Sequence, residues 1–228
     1  MITLAVDTSL ATTGVALLED DNLRAELAVR NGRNHAEVLL PSIERLLASV
    51  GIEKEQIDLF AVTAGPGSFT GLRVGTSTVK GLAFALQRPV VGVCTLDALV
   101  LNVAYAGPGT AICPMVDAGR GEVYAALYRF SGPDIYEKTL RECVIHPDEF
   151  LKTIDGDVIF LGDGAQKHRT LIDDALPNRS SFAPSRFNQV SAAAVGLVGR
   201  KRFCSGDISD TITLVPDYLR PSYAANAD

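Results

Sequence analysis

The sequence predicts an α/β protein made of two similar lobes. Two observations carry this: the order strand, strand, strand, helix, strand, helix occurs twice, and each round opens on an apolar strand that ends in an acid, Asp7 in the first and Asp117 in the second. Gly107-Pro108-Gly109 marks the joint, so the expected lobes are 1–106 and 107–228, with the C-terminal segment expected to pack back on the first. At 228 residues, 47% of them apolar, the chain has ample material for the cores of two lobes.

In the first lobe Ile2 to Val6, Thr12 to Leu18 and Leu23 to Val29 are joined by short links, the second link being Glu19-Asp20-Asp21-Asn22, and read as an antiparallel meander. Then the period changes. Leu39, Ile43, Leu46, Leu47 and Val50 recur at helical spacing, with Glu37, Glu44 and Arg45 off that stripe. Asn34 is expected to cap this helix and Gly51 to stop it; Pro41, which cannot donate to the Glu37 carbonyl, is expected to kink it or to mark its effective start. Leu59 to Val62 is a buried strand that runs into the stretch from Ala64 to Gly75, Ala-Gly-Pro-Gly-Ser-Phe-Thr-Gly-Leu-Arg-Val-Gly. Gly65 and Gly67 flank a proline, which makes one sharp bend into a helix from Gly71 to Leu86 with Thr70 placed to cap it. Pro89 to Val93 is a further strand, and Thr95 is expected to cap a helix through Tyr105.

In the second lobe Thr110 to Val116 is a strand ending in Asp117, and Ala118 to Gly121 is a turn. Strands at Glu122 to Phe130 and Ile135 to Ile145 follow, then a helix from Pro147 to about Thr153, a strand at Val158 to Leu161, and helices at Ala165 to Ala175 and Ser191 to Phe203. Two such lobes, each with an acid ending its first strand, describe the actin-like, sugar-kinase or heat-shock-ATPase architecture, a duplicated ribonuclease H-like fold. Fold alone does not license function.

The glycine turn admits two readings. Free N–H groups at a helix start favour an anion, but the stretch lacks the Gly-Lys-Ser/Thr ending of a P-loop and the spacing of a dinucleotide fingerprint, so a tight structural bend outweighs a phosphate cradle. Asp7-Thr8-Ser9 stays open between an acid and hydroxyls that serve a hydrated metal and a phosphate, and side chains that satisfy the backbone of a turn. Asp117, followed by Arg120 and Glu122, reads as a turn-stabilising salt bridge rather than a catalytic pair. His35, His146 and His168 belong to no paired-histidine element and read as capping or surface residues; Ser68 lacks a nucleophile elbow; Lys167-His168-Arg169 reads as a solvated trio. No catalytic residue and no metal site emerges. On the helix after the turn, Gly71, Gly75 and Thr78 form one small-residue side, while Leu72, Thr76, Val79, Ala83 and Leu86 line another. Packing inside the lobe and an intersubunit bundle with Leu39, Ile43 and Leu47 both fit this pattern.

The formal charge of −6 and a pI near 5.1 argue against a chain that grips nucleic acid by itself. A start without a basic leader, the lack of any apolar run of the ~18 residues that a membrane span needs, and the scattered Cys94, Cys113, Cys143 and Cys204, read as buried reduced thiols, predict a cytoplasmic protein with no membrane partner.

Ala5-Val6-Asp7-Thr8-Ser9, Asn34-His35-Ala36-Glu37, the Ala64 to Gly75 stretch, Thr95-Leu96-Asp97-Ala98-Leu99, the run from Val116 to Tyr124, and Pro216-Asp217-Tyr218-Leu219-Arg220 closely resemble the bacterial TsaB family, also called YeaZ. The resemblance runs the length of the chain. It implies a non-catalytic subunit required, with TsaD and the ATPase TsaE, for transfer of the threonylcarbamoyl group from threonylcarbamoyl-adenylate to the adenosine adjacent to the tRNA anticodon. TsaD is similar in fold and carries a pair of metal-binding histidines in its first lobe, which nothing in this sequence matches. The resemblance further implies a heterodimer with TsaD through the two first-lobe helices, a homodimer through the same surface in isolation, and tRNA reached only through the complex. Leu39, Ile43, Leu72, Gly75 and Val79 become interface candidates, and Asp7, Thr8 and Ser9 stay as the phosphate loop of the fold. No cofactor is expected to bind tightly, with ATP or ADP accommodated at the partner interface. The alternatives are an ATP-dependent phosphotransferase, motivated by Asp7 and Asp117, and a metallopeptidase-like protein, for which the sequence offers neither a metal pair nor an activated nucleophile.

Overall fold

The first strand, β1 (Ile2–Asp7), carries Ile2, Leu4 and Val6 on one face and Thr3, Ala5 and Asp7 on the other, and the structure covers both. The structure is a computed structural model that describes all residues except 31, 33, 133–134, 210–212 and 220–228. β1 pairs antiparallel with β2 (Thr12–Glu19), which pairs antiparallel with β3 (Asn22–Arg30). Then come α1 (His35–Val50), β4 (Leu59–Gly65), α2 (Phe69–Leu86), β5 (Val90–Cys94) and α3 (Thr95–Val100). β4 lies parallel to β1 and β5 parallel to β4, which makes a five-stranded sheet in the order β3-β2-β1-β4-β5.

The second round is β6 (Ala111–Gly119), β7 (Glu122–Gly132), β8 (Ile135–Ile145), α4 (Pro147–Leu151), β9 (Val158–Leu161), α5 (Asp163–Lys167), α6 (Arg169–Ala175) and β10 (Ser180–Phe182). Its sheet has the order β10-β9-β6-β7-β8, with β6, β7 and β8 antiparallel and β6, β9 and β10 parallel. Strand for strand this is the first sheet again, and the expected duplicated α/β fold is present. β10 completes the correspondence. It was not visible in the sequence, because Ser180-Ser181-Phe182 is too short and polar to register as a strand.

Among the described residues the chain divides into two compact units, 1–98 with 190–217, and 99–189 with 218–219. The first boundary therefore falls before residue 99 and not at the Gly-Pro-Gly joint. Residues 99–106 are tied to the second unit: Asn102 Nδ2 donates to the carbonyls of Phe187 (2.9 Å) and Gln189 (2.7 Å), and the Tyr105 and Phe187 rings lie 5.8 Å apart. The expected helix from Thr95 to Tyr105 ends at Val100 and passes into a 3-10 segment, Leu101–Ala106. Thr95 is itself helical, and its buried hydroxyl has no hydrogen-bond partner among the described residues.

In the first unit, Leu4, Val6, Val15, Leu17, Phe60 and Val62 of the sheet meet Leu39, Ile43, Leu46 and Leu47 of α1 and Val79 and Ala83 of α2. α1 runs unbroken from His35 through Pro41, so the helix does not begin at the proline. Glu37 and Pro41 are both exposed, which leaves the carbonyl that lost its intrahelical donor on the solvent side. Gly51 stops the helix in a left-handed conformation (φ 68°), as expected. The other face of the sheet takes α7 (Ala192–Cys204), capped by the Ser191 hydroxyl, which accepts from the Ala194 amide at 3.3 Å. Small residues let α7 lie close. A Cβ added at Gly199 would sit 2.6 Å from Ala61 Cβ, and one at Gly196 would strike Leu18.

In the second unit, Phe150 and Leu151 of α4, Ala165 of α5 and Ile172 of α6 pack on Cys113, Met115, Val123, Ala125, Val158 and Phe160. The expected single helix from Ala165 to Ala175 is two short ones with His168 between them. No helix among the described residues is long and apolar enough to cross a membrane.

Two glycines in helices separate intrinsic propensity from packing. Nothing lies within 4 Å of a Cβ at Gly81, on the exposed side of α2. Gly81→Ala is therefore expected to stabilise the chain by about 0.5–1 kcal/mol in urea unfolding, whereas Gly199→Val is expected to destabilise it by about 1–3 kcal/mol through overpacking. Equal and favourable shifts at both positions would contradict the packing of α7.

Candidate functional site

The glycine stretch and the Asp7-Thr8-Ser9 loop, far apart in sequence, are packed against one another at the end of β1. Gly65 takes φ 131°, the Gly65–Pro66 peptide is cis, and the Ser68 amide donates to the Ser9 carbonyl at 2.8 Å. Ser68 caps α2, its hydroxyl accepting from the Gly71 amide at 3.3 Å, so the cap lies two residues before the expected Thr70. Thr8 then presses into the first turns of the helix. Its hydroxyl donates to the Gly71 carbonyl at 2.7 Å, its own carbonyl occupies the place of a Gly71 side chain, and its Oγ1 occupies that of a Gly75 side chain. A Cβ at Gly67 would lie 2.5 Å from the Ser9 carbonyl oxygen. Gly71 and Gly75, one turn apart in α2, and Gly67 just before the cap thus face the β1 loop, and that approach accounts for all three.

Asp7, Thr8 and Ser9 are all fully buried. One carboxylate oxygen of Asp7 accepts three bonds: from the Ser9 amide (3.0 Å), the Ser9 hydroxyl (2.6 Å) and the Thr63 hydroxyl (2.9 Å). Its Oδ2 has no partner among the described residues. Burial outweighs the hydrogen bonds and pushes the carboxyl up to about 6. His35, the first residue of α1, is also buried, with Nδ1 2.8 Å from the Thr13 hydroxyl, and so is neither a cap nor a surface residue.

The equivalent acid of the second unit has a different setting. The Asp117 Oδ1 accepts from the Gly119 amide at 3.0 Å, repeating the turn that Asp7 makes with Ser9. It pairs with Lys167, whose Nζ reaches both oxygens at 2.9 and 2.8 Å, while Arg120 and Gly121 form the left-handed two-residue turn between β6 and β7. Burial raises the Asp117 carboxyl, but the Lys167 bond, the Gly119 amide and the Lys167 charge together bring it below the usual range. Burial raises Asp163, which accepts the Asp117 amide at 3.0 Å. Lys167 and Arg169 of the basic trio are exposed, as expected, and each also has a surface partner: Lys167 holds Asp117, and Arg169 stacks on Phe182 at 4.3 Å and pairs with Asp173. Among the described residues no cluster of three or more His, Cys, Asp or Glu is arranged to hold a metal. None of the four cysteines is in a disulfide; Cys113 is buried and Cys204 exposed, so the four are not uniformly buried.

The five interface candidates lie inside the first unit. Leu39, Ile43, Leu72 and Val79 are at most 4% exposed, and Gly75 is filled by Thr8. They are the inward stripes of α1 and α2. The apolar groups these helices leave outside are Leu40 (47% exposed), Phe69 (41%) and Phe84 (71%), with Arg73 stacked 3.8 Å over Phe69. Sequence reasoning chose the regular stripe, which is the signal of a core; isolated apolar residues among polar ones mark the outer face.

A TsaB protein of Bacillus subtilis, described as a tRNA threonylcarbamoyladenosine biosynthesis protein, is 32% identical over 222 residues, which is 96% of this chain and 94% of that one. The chain belongs to the TsaB family. The family model that matches residues 29–227 is described as TsaD, tRNA N6-adenosine threonylcarbamoyltransferase. YeaZ from Pseudomonas aeruginosa superposes with a TM-score of 0.79 at 27% identity, over 95% of this chain and 99% of that one. The ROK hexokinase of Thermus thermophilus (TM-score 0.51, 11% identity, 90% of this chain and 100% of that one) shares the fold alone. Membership agrees with the resemblance carried by the Gly-Pro-Gly-Ser-Phe-Thr-Gly block. In this chain that block is where α2 closes over Thr8 and Ser9.

The position of Asp7 has a measurable consequence. Between its ordinary 3.8 and about 6, the folded chain keeps a proton at Asp7 that the unfolded chain has released, so this group's contribution to stability falls as pH rises through that window. Relative to the parent, Asp7→Asn should be about 2 kcal/mol more stable at pH 7.5 than at pH 4.5 when urea unfolding is compared at the two values. Parallel pH profiles for parent and variant would exclude a raised Asp7.

Proposed function

We propose that this chain is a non-catalytic subunit of the machinery that makes threonylcarbamoyladenosine in tRNA. It would support a TsaD-type transferase, with the ATPase TsaE, in moving the threonylcarbamoyl group from its adenylate to the adenosine beside the anticodon. The observation that carries this reading is kinship over 96% of the chain with a protein named for that biosynthesis. One feature supports a helper role: Asp7, with Thr8 and Ser9, is enclosed by its own fold.

The docking surface in this reading is the outer face of α1 and α2, with Leu40, Phe69, Arg73 and Phe84, and the same face accounts for a homodimer when the transferase is absent. The residues of the buried stripe act indirectly by holding the two helices in place. Covering an apolar face of the transferase would bias it toward its competent conformation, and tRNA would be held by the complex, in keeping with a net charge of −6 on this chain. ATP or ADP, where the assembly holds one, lies at the partner interface; the full burial of Asp7, Thr8 and Ser9 favours that placement over their loop.

The test is reconstitution of tRNA modification with TsaD, TsaE, threonylcarbamoyl-adenylate and tRNA. Leaving this chain out is expected to slow modification at least tenfold, and an unchanged rate overturns the proposal. Leu40→Asp and Phe84→Asp are expected to weaken co-purification with TsaD at least tenfold while circular dichroism and thermal midpoint stay close to the parent's. Retained binding by both variants rejects the outer-face assignment.

A further inference from the structure

Beyond α7, Ser209 lies against β5, and residues 213–217 lie against α2 and the glycine turn. Ser209 makes an antiparallel bridge to Val90: its amide donates to the Val90 carbonyl at 3.1 Å and its hydroxyl accepts from the Gly92 amide at 3.0 Å. Arg202 of α7 donates to the Gly92 carbonyl. Together these occupy backbone groups on the free edge of β5. Farther on, Leu214 packs against the first-unit core, with its Cδ1 2.9 Å from where a Gly92 Cβ would stand, and its carbonyl accepts from Lys80 Nζ of α2 at 2.8 Å. The Asp217 amide then donates to the Ala64 carbonyl at 2.6 Å, and the Asp217 carbonyl lies 2.5 Å from where a Gly65 side chain would begin. The left-handed φ of 131° at Gly65 and the bare backbone of Gly92 are what let this segment in.

We propose that residues Thr213 to Asp217 form a strap that positions the glycine turn and α2, with Leu214 as its anchor, Lys80 as its tie to the middle of the helix and the Asp217 backbone as its tie to the turn. The strap joins the two ends of the strand-turn-helix junction, one at Ala64 and one at Lys80, from outside the sheet. It is held by a few polar contacts and one apolar side chain, while Thr213, Val215 and Asp217 face outward. A segment secured in this way opens at far lower cost than the sheet beneath it, so it can release without unfolding the unit. Its release frees the turn, and with it the N-terminal end of α2 where Phe69 and Arg73 lie. Lys80 and Leu214 are thus positioning residues for that face. The effect on a partner rests on the reading of α1 and α2 as the docking surface, whereas the strap itself does not.

Hydrogen exchange on the isolated chain separates the two. A chain ending at residue 212 is expected to exchange the amides of residues 64–76 at least tenfold faster than the parent, with β1 and β2 amides unchanged, while a chain ending at 219 matches the parent. Within the full-length chain, Leu214→Ala should reproduce that local pattern, Lys80→Met should raise exchange several-fold, and Lys80→Arg, which keeps a donor, should restore protection. If the chain ending at 212 does not fold, the Leu214 and Lys80 variants decide. Unchanged exchange over 64–76 in these variants overturns the strap. Faster exchange there with undiminished affinity for TsaD keeps the strap and overturns the docking surface instead.

Discussion

Thr8 is the residue on which the first unit turns. Its carbonyl stands where a Gly71 side chain would be and its hydroxyl where a Gly75 side chain would be, while that same hydroxyl is bonded to the Gly71 carbonyl. A single buried threonine thus engages two glycines one helical turn apart, and α2 lies too close to the β1 loop for any other residue at those positions. Much follows from the distance this sets. Leu72, Val79 and Ala83 are turned into the unit, β1 is covered by helices on one face and α7 on the other, and Phe69, Arg73 and Phe84 are left outside. Glycine carries an entropic cost in a helix, and close approach is the compensation that makes it favourable here.

The duplicated architecture shows how one design serves two chemical settings. Both units pair five strands in the same order, and both carry, at or two residues before the end of their first strand, an aspartate that accepts an amide two residues on. In the first unit the glycine turn closes over the acid, and desolvation raises it. In the second, short helices leave Asp117 within reach of Lys167, and the cation brings it down. The difference lies not in the acid but in what the following helix does. A long helix with glycines at one-turn spacing seals the loop, while a five-residue α5 leaves it partly open.

Most of the fold was legible in the chain because periodicity reports burial directly. The meander, the stripe of α1, the repeated strand ending in aspartate and the Gly51 stop are all local patterns with local causes. Errors gathered where local patterns have two explanations. The stripe Leu39, Ile43, Leu72 and Val79 is apolar because it faces a core, and an apolar stripe does not say whether that core is the protein's own or shared with a partner. Pro41 reads as a break, but on an exposed turn the lost hydrogen bond goes to solvent and the helix continues.

From residue order alone came the α/β class, the twofold repeat and a family signature over the whole length, since these rest on spacing along one chain. Which atoms meet required the folded chain. That Gly67, Gly71 and Gly75 answer to Thr8 and Ser9, that α7 returns to the first sheet on Gly196 and Gly199, and that Asp217 closes on Gly65 are all contacts between distant segments. A glycine records in the sequence that something must come close. Only the packed structure identifies what does, because the approaching group is selected by geometry across the fold and leaves no periodic trace beside it.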